Sequence, residues 1–222
     1  MAGPPGEGKA GEMITTDNQP IAASFFGAGS WLTEFIDVDN LEIQTLHQEI
    51  TRGIDSQQER MIALRDWVAS QVRYVKLVRG RIWIEGVESY QNDLWNPPAI
   101  TARVKIGNCA NKSFLLASLL RQELPAEQVY VALGNLYNGH AGGHAWVQVN
   151  ADGGPFIMES TRYDAPPLVF VENAKRYETI HLFNDREVIT VPGKTALQPY
   201  SACYSDWLRG YLDWAYINGG KR

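Results

Sequence analysis

Cys109, His144 and Glu159 have the side-chain types, and the order along the chain, of a nucleophilic triad. Cys109 opens an apolar stretch, Cys109-Ala110-Asn111-Lys112-Ser113-Phe114-Leu115-Leu116-Ala117-Ser118-Leu119-Leu120. His144 lies in a strand-like run, Gly143-His144-Ala145-Trp146-Val147-Gln148-Val149, and Glu159 follows in Phe156-Ile157-Met158-Glu159-Ser160-Thr161. A thiol needs a base to activate it, and the base needs a third group to fix its tautomer and steady its charge. A thiol in the first turn of a helix also faces unpaired N–H groups and the positive end of the dipole, an environment that lowers thiol pKa values. Gly107, just upstream, lets the backbone approach a substrate closely.

Each residue has a plainer reading. A free Cys often behaves as a small core hydrophobe. A His at a strand edge is commonly structural, and a Glu is commonly solvated. In the alternation of its strand, His144 shares a face with Trp146 and Gln148, while Ala145, Val147 and Val149 share the other. Glu159 is flanked by Ile157 and Met158, so it is either edge-facing or paired, and His144 on an adjacent strand is the partner on offer. His140 and His144 have a His-x3-His spacing that on a helix could hold zinc. Ala141-Gly142-Gly143 makes a poor helix and no Cys-x2-Cys accompanies it, so His140 is read as a loop residue near the mouth of the site and no metal is implied. Cys203, His47 and His181 receive the bland reading of packing or exposure.

The elements around these residues follow from periodicity and punctuation. Residues 1–20 are rich in Gly and Pro without apolar period and read as a flexible tail, with a single domain over 21–222. Asp39-Asn40 caps a helix carrying Leu41, Ile43, Leu46 and Ile50 along one side, and Gly53 ends it. Ser56 and Glu59 form a capping-box pattern for a second helix with Met61, Leu64, Val68 and Val72 on its buried stripe. Tyr74 to Val78 and Ile82 to Val87 read as extended with a turn at Gly80, and Asn92 to Pro98 as a loop in which Pro97-Pro98 forbid regular structure. Asn108 caps a helix over about Cys109 to Gln122, apolar on nearly all sides and so surrounded by protein. Strands follow at Val129 to Leu136, Ala145 to Val149 and Phe156 to Ser160, with bends at Gly142-Gly143 and Asp152-Gly153-Gly154. If the last two strands pair, Val149 lies opposite Phe156 or nearby. Shorter extended pieces fall at Leu168 to Val171, Thr179 to Leu182 and Glu187 to Val191, and Asp206 caps a C-terminal helix. Helices first, one buried helix, then a run of strands is an α+β layout on an antiparallel sheet.

Composition bounds the function. The 222 residues carry 45% hydrophobic and 11% aromatic side chains, enough for a real core. A net charge of -5 offers no basic face for nucleic acid or anionic membrane. No apolar run approaches the roughly 20 residues that span a bilayer, and the N-terminus has no signal pattern. With 2 cysteines no disulfide framework is implied, and a reducing, cytoplasmic setting is the simplest reading.

Together the motifs resemble the transglutaminase-like superfamily, its bacterial and archaeal cysteine-peptidase type in particular. The resemblance is carried by Gly107-Asn108-Cys109, His144-Ala145-Trp146-Val147 and Glu159-Ser160-Thr161. Upstream, Trp67-Val68, Val72-Arg73-Tyr74 and Asp93-Leu94-Trp95 contribute to it, and it covers roughly residues 36 to 165. The family commonly has Asp where Glu159 and Asn108 stand; Glu can still orient an imidazole, and Asn keeps the capping ability without the charge. The resemblance implies a papain-like α+β fold, the transglutaminase core, with the Cys helix packed against an antiparallel sheet that carries His and acid. It implies a thiol enzyme acting on amide or peptide bonds of a protein or peptide substrate through an acyl-thioester, without cofactor. Hydrolysis is the favoured outcome, transamidation of protein glutamine the alternative, and a non-catalytic binding or scaffold module a further one. The oxyanion hole would use the Cys109 N–H and a second donor among Trp95, Asn96 and Trp83.

Overall fold

The computed structural model describes residues 30–194 apart from 77, 79, 85–86, 92–93 and 139. The tail expected over residues 1–20, the helix expected after Asp206 and Cys203 lie outside the described residues.

Asn40 caps helix α1 (Leu41–Thr51), its side chain accepting from the N–H groups of Glu42 and Ile43. Of the apolar positions expected along one side, Ile43 is buried, Leu46 and Ile50 pack partly against the core, and Leu41 is 76% exposed at the first turn. Gly53 follows with φ +75°, the left-handed conformation that suits glycine after a helix. Ser56 caps α2 (Gln57–Gln71), and Met61, Leu64, Val68 and the following Val72 are all buried as the period requires.

Beyond α2 come the short strand β1 (Arg73–Tyr74) and a hairpin of β2 (Gly80–Ile84) and β3 (Val87–Gln91). Gly80 pairs with Gln91 at the open end of that hairpin, and Ile84 pairs with Val87 at the closed end. The turn is therefore not at Gly80, where the sequence suggested it. A second correction concerns Pro97-Pro98. Pro98 opens helix α3 (Pro98–Val104) rather than preventing one. The first helical position has no intrahelical use for its N–H, and proline's fixed φ already suits it.

Strand β4 (Ile106–Gly107) pairs in parallel with β1, and α4 (Cys109–Leu120) starts two residues later. Every residue of α4 after Cys109 is buried. Its apolar side chains meet Leu64 and Val68 of α2, the aromatic cluster of Phe35, Trp95 and Phe114, and one face of the sheet. Each buried Leu or Phe of this kind contributes about 1.5–3 kcal/mol, so α4 is the axle of the core.

The sheet has six antiparallel strands in the order β10-β9-β5-β6-β7-β8. These are β5 (Val129–Asn138), β6 (His140–Ala151), β7 (Gly154–Met158), β8 (Val169–Phe170), β9 (Tyr177–Phe183) and β10 (Val188–Thr190). Val149 stands opposite Phe156, the expected register. Gly142 and Gly143 do not bend the chain; they lie inside β6, paired with Leu136 and Asn135, and His140 is the first residue of that strand rather than a loop residue. Val131, Leu133, Ala145, Val147 and Val149 face the helices. Ala132, Trp146 and Ile157 form a smaller cluster on the other face. Helices packed on an antiparallel sheet, with the buried helix running from Cys109, are the expected α+β architecture.

Candidate active site

Cys109 is placed by its neighbours on both sides. Asn108 and Asn111 exchange hydrogen bonds in a reciprocal capping box, each side chain accepting from the other's backbone N–H. Asn111 Nδ2 also donates to Leu94 O at 3.3 Å, fastening the Leu94–Pro97 segment to the helix start. The two strand residues upstream are tied by Arg73 N to Lys105 O at 2.9 Å and Val75 N to Gly107 O at 3.0 Å. A Cβ on Gly107 would sit 2.9 Å from Asn111 Cβ and 3.4 Å from Thr101 Cγ2. The glycine is thus demanded by packing against the first helical turn, a reason different from close approach to a substrate. Cys109 itself remains partly exposed while the rest of α4 is covered.

His144 is on β6 and 8% exposed. Its ring stacks on Trp146 with centroids 6.0 Å apart, so the two share a face as the alternation predicts. Strand β7 stops at Met158, opposite Val147. The stretch of β6 that carries His144 therefore has β5 on one side and no strand of β7 on the other, and the chain leaving β7 turns into that space. Glu159 is the first residue of this turn, one residue past the end of β7, and so not inside a strand running to Ser160 as the sequence suggested.

Glu159 Oε2 lies 2.8 Å from His144 Nε2. A carboxylate only accepts, so Nε2 carries the proton and donates, leaving the other ring nitrogen for Cys109. Tyr177 donates its hydroxyl to the same Oε2 at 3.0 Å. Thr161 donates to Oε1 twice, from N at 2.8 Å and from Oγ1 at 2.6 Å. Burial alone would raise the Glu159 pKa, but His144 and Thr161 outweigh it and hold the carboxyl down at about 2. Burial alone would lower that of His144. Its hydrogen bond with Cys109, and the hydrogen bond and charge of Glu159, reverse this and raise it to about 10. The imidazole is thus held in its protonated form between Cys109 and a carboxylate, an arrangement able to supply a proton to a leaving group.

Two buried cations, neither singled out by sequence reasoning, lock the frame. Arg65 of α2, 1% exposed, donates from Nε to Glu159 O at 2.7 Å. Its Nη2 donates to Arg162 O and Ala165 O, both at 2.7 Å, and its Nη1 to Tyr163 O at 3.2 Å. One guanidinium therefore shapes the whole turn from Glu159 to Ala165, a task for a rigid fork of donors. Lys112 Nζ, one turn after Cys109, donates to Ala69 O at 3.1 Å and Val72 O at 2.7 Å, at the C-terminal end of α2. Burial pulls its pKa down to about 8, opposed by the charge of Glu159. An arginine or lysine inside an amphipathic pattern reads as surface, so only the carbonyls that turn toward these two reveal their role. Tyr177 was likewise missed, because it comes 18 residues after Glu159 on another strand.

The residues named for an oxyanion hole are partly brought together. Trp95 and Asn96 are buried in the segment fastened to the start of α4, and Asn96 Oδ1 has no partner among the described residues. The Trp95 ring packs edge-on to Phe35 and Phe114 in the core. Trp83 lies on β2. His47 and His181 serve structure: His47 contacts Glu123, which also binds Arg60, and His181 meets Thr190 on β10. Among the described residues no three His, Cys, Asp or Glu side chains are grouped to hold a metal, and no helix is long and apolar enough to cross a membrane.

A cleft of about 510 Å³ opens beside the pair, with His144, Glu159, Thr161 and Tyr177 on its wall. Cys109 is not among its lining residues.

The chain resembles solved structures of LapG from Legionella pneumophila. One superposes with a TM-score of 0.52 at 13% identity, covering 68% of this chain and 77% of that one. An EGTA-treated form gives 0.53 at 12% identity, covering 74% and 82%. At that identity the likeness is one of fold. No curated protein matches the chain. The family description of the transglutaminase-like superfamily matches residues 44–159, which takes in Cys109, His144 and Glu159 and more than half of the chain. The chain belongs to the transglutaminase-like superfamily.

Proposed function

We propose that this chain is a cysteine hydrolase of amide or peptide bonds, with Cys109 as nucleophile, His144 as proton carrier and Glu159 as its orienting acid. Cys109 Sγ adds as thiolate to the carbonyl carbon of the scissile amide, the proton of the Cys109–His144 pair already resting on His144. The tetrahedral oxyanion meets the Cys109 N–H at the start of α4, with a second donor from Trp95, Asn96 or Trp83. Collapse breaks the C–N bond, and the leaving nitrogen takes the proton from His144. Water then attacks the thioester carbonyl and gives up a proton to His144. Breaking of the C–S bond releases the carboxylic acid and returns the electron pair to Cys109 Sγ, with the proton again on His144. Glu159 stays ionised throughout and keeps the ring in register.

The single observation that carries the reading is the contact of 2.8 Å between His144 Nε2 and Glu159 Oε2, with Cys109 as the partner of the same ring. A core cysteine has no need of a buried imidazole oriented by a saturated carboxylate. The partial exposure of Cys109 adds to it.

The test is hydrolysis of an amide or peptide substrate by the wild-type chain, Cys109→Ala and Cys203→Ala. The reading expects activity to vanish in the first variant and to persist in the second. Adding a primary amine distinguishes the outcomes of the thioester: product that retains the amine identifies a transglutaminase, and free acid a hydrolase. No turnover with any substrate, with the fold intact, points to a binding module.

A further inference from the structure

We infer that the open edge of β6 at Gly142 and Gly143 receives the main chain of a peptide substrate as an added, extended strand. The inference rests on the hydrolase reading above. Strand β6 is paired with β5 from His140 to Val149. On its other side β7 reaches only from Ala151 to Val147. Beyond that point Arg65 draws the carbonyls of Glu159, Arg162, Tyr163 and Ala165 toward α2, so the chain leaving β7 does not continue the ladder. The N–H and C=O groups of successive residues in an antiparallel strand point to opposite sides. One of Gly142 and Gly143 therefore presents both its groups to the open side. No described residue bonds to them there.

The two glycines themselves call for a reason, because glycine weakens the interior of a strand. Gly153 and Gly154 have positive φ, and Gly107 and Gly134 leave no room for a Cβ. Gly142 meets neither condition: its φ lies outside the left-handed region, and a Cβ there would touch nothing within 4 Å. Gly143 is exposed beside it. Neither conformation nor packing demands glycine at 142, and a bare strand of this kind suits the close approach of another backbone. The pair carries no charge or proline of the sort that blunts an exposed edge. A peptide added there is held by main-chain hydrogen bonds. His144 is the next residue of the strand, and Cys109 is a hydrogen-bond partner of its ring. A peptide lying along the glycines needs only about two or three further residues, at about 3.3 Å each, to bring its scissile carbonyl to Cys109.

The experiment starts from a proteome-derived peptide library digested by wild type and Cys109→Ala, from which the peptide cut fastest in a Cys109-dependent way is chosen. That peptide is resynthesised with one backbone N-methyl group at each position in turn, outside the scissile bond, and KM and kcat are measured. N-methylation on one side of the cut is expected to raise KM several-fold at every second residue and to be tolerated between, the period of a strand edge. Gly142→Pro and Gly143→Pro remove one N–H each. The variant whose N–H faces the open side should keep the fold by circular dichroism and raise KM for the unmethylated peptide several-fold, while the other loses a bond to β5. A scan without alternation overturns the inference and leaves the hydrolase reading standing. So does an unchanged KM in every proline variant that folds, and if neither folds the scan decides alone. A library with no Cys109-dependent cut removes the hydrolase reading and this inference with it.

Discussion

Tyr177 donates its hydroxyl to Glu159 Oε2, the very oxygen that receives His144 Nε2, at 3.0 and 2.8 Å respectively. The same tyrosine ring stands edge-on to Trp146 with centroids 5.1 Å apart, and Trp146 backs the histidine. A residue from β9 thus fixes the angle at which the acid meets the base. Replacing Tyr177 with Phe keeps the ring and removes one donor to a carboxylate, worth about 1–2 kcal/mol at this half-buried position. The expected result is a several-fold fall in kcat with KM little changed and the fold retained. A KM effect with unchanged kcat would make Tyr177 a substrate contact instead.

Glu159 itself separates into charge and shape. Glu159→Gln keeps the size, removes the negative charge and leaves Nε2–H facing a group that is no longer an obligate acceptor. The rate should fall at least about tenfold, equivalent to roughly 1.4 kcal/mol of transition-state stabilisation. Glu159→Asp keeps the charge and should be milder. Steady-state rates with folding checked by circular dichroism decide it, and near-wild-type rates in both would reduce the site to Cys109 and His144.

The same pair shapes the dependence of stability on pH. Glu159 is depressed from 4.5 to about 2 on folding, so its contribution is complete above 4.5 and is lost as pH falls through about 2. His144 is raised from 6.5 to about 10, so its contribution is complete below 6.5 and is lost as pH rises through about 10. The two contributions coincide in full between 4.5 and 6.5. Melting curves of wild type and His144→Gln should therefore differ most in that window, and the gap should close as pH climbs toward 10. A gap that widens with rising pH would mean that His144 is neutral in the fold.

The turn that presents Glu159 hangs on Arg65, which donates to the carbonyls of Glu159, Arg162, Tyr163 and Ala165. Arg65→Lys keeps a charge but cannot address that many acceptors from one point. Loss of about 3 kcal/mol or more in urea unfolding is expected, since buried carbonyls are left unpaired. Stability within about 0.5 kcal/mol of wild type would show the turn to be held by other means.

How much of this could be read from the chain depends on whether the signal is local. Asn108 announces the helix start because capping is a property of adjacent residues, and β6 and β7 find their register because Asp152-Gly153-Gly154 joins them closely. The same locality misleads where one residue type has two uses. Pro98 reads as a breaker but opens a helix, and Gly142-Gly143 read as a bend but sit in a strand. Arg65, Lys112 and Tyr177 escape the sequence for the opposite reason. Each is defined by partners dozens of residues away or on another strand, and none of those partners marks the sequence beside it. The order of thiol, imidazole and acid is visible in the chain; the shell that holds these residues appears only on folding.

The central claim is that Cys109 is a nucleophile made reactive by His144 and Glu159, and it can be tested without knowing a substrate. The measurement is the rate of iodoacetamide alkylation at neutral pH, mapped by peptide mass spectrometry to Cys109 or Cys203, in wild type, His144→Ala and Glu159→Gln. The account predicts that Cys109 reacts faster than a free thiol, that it slows by about tenfold or more in His144→Ala and to a lesser degree in Glu159→Gln, and that Cys203 is indifferent to both changes. A Cys109 that reacts no faster than free cysteine, or at the same rate in all three proteins, contradicts it.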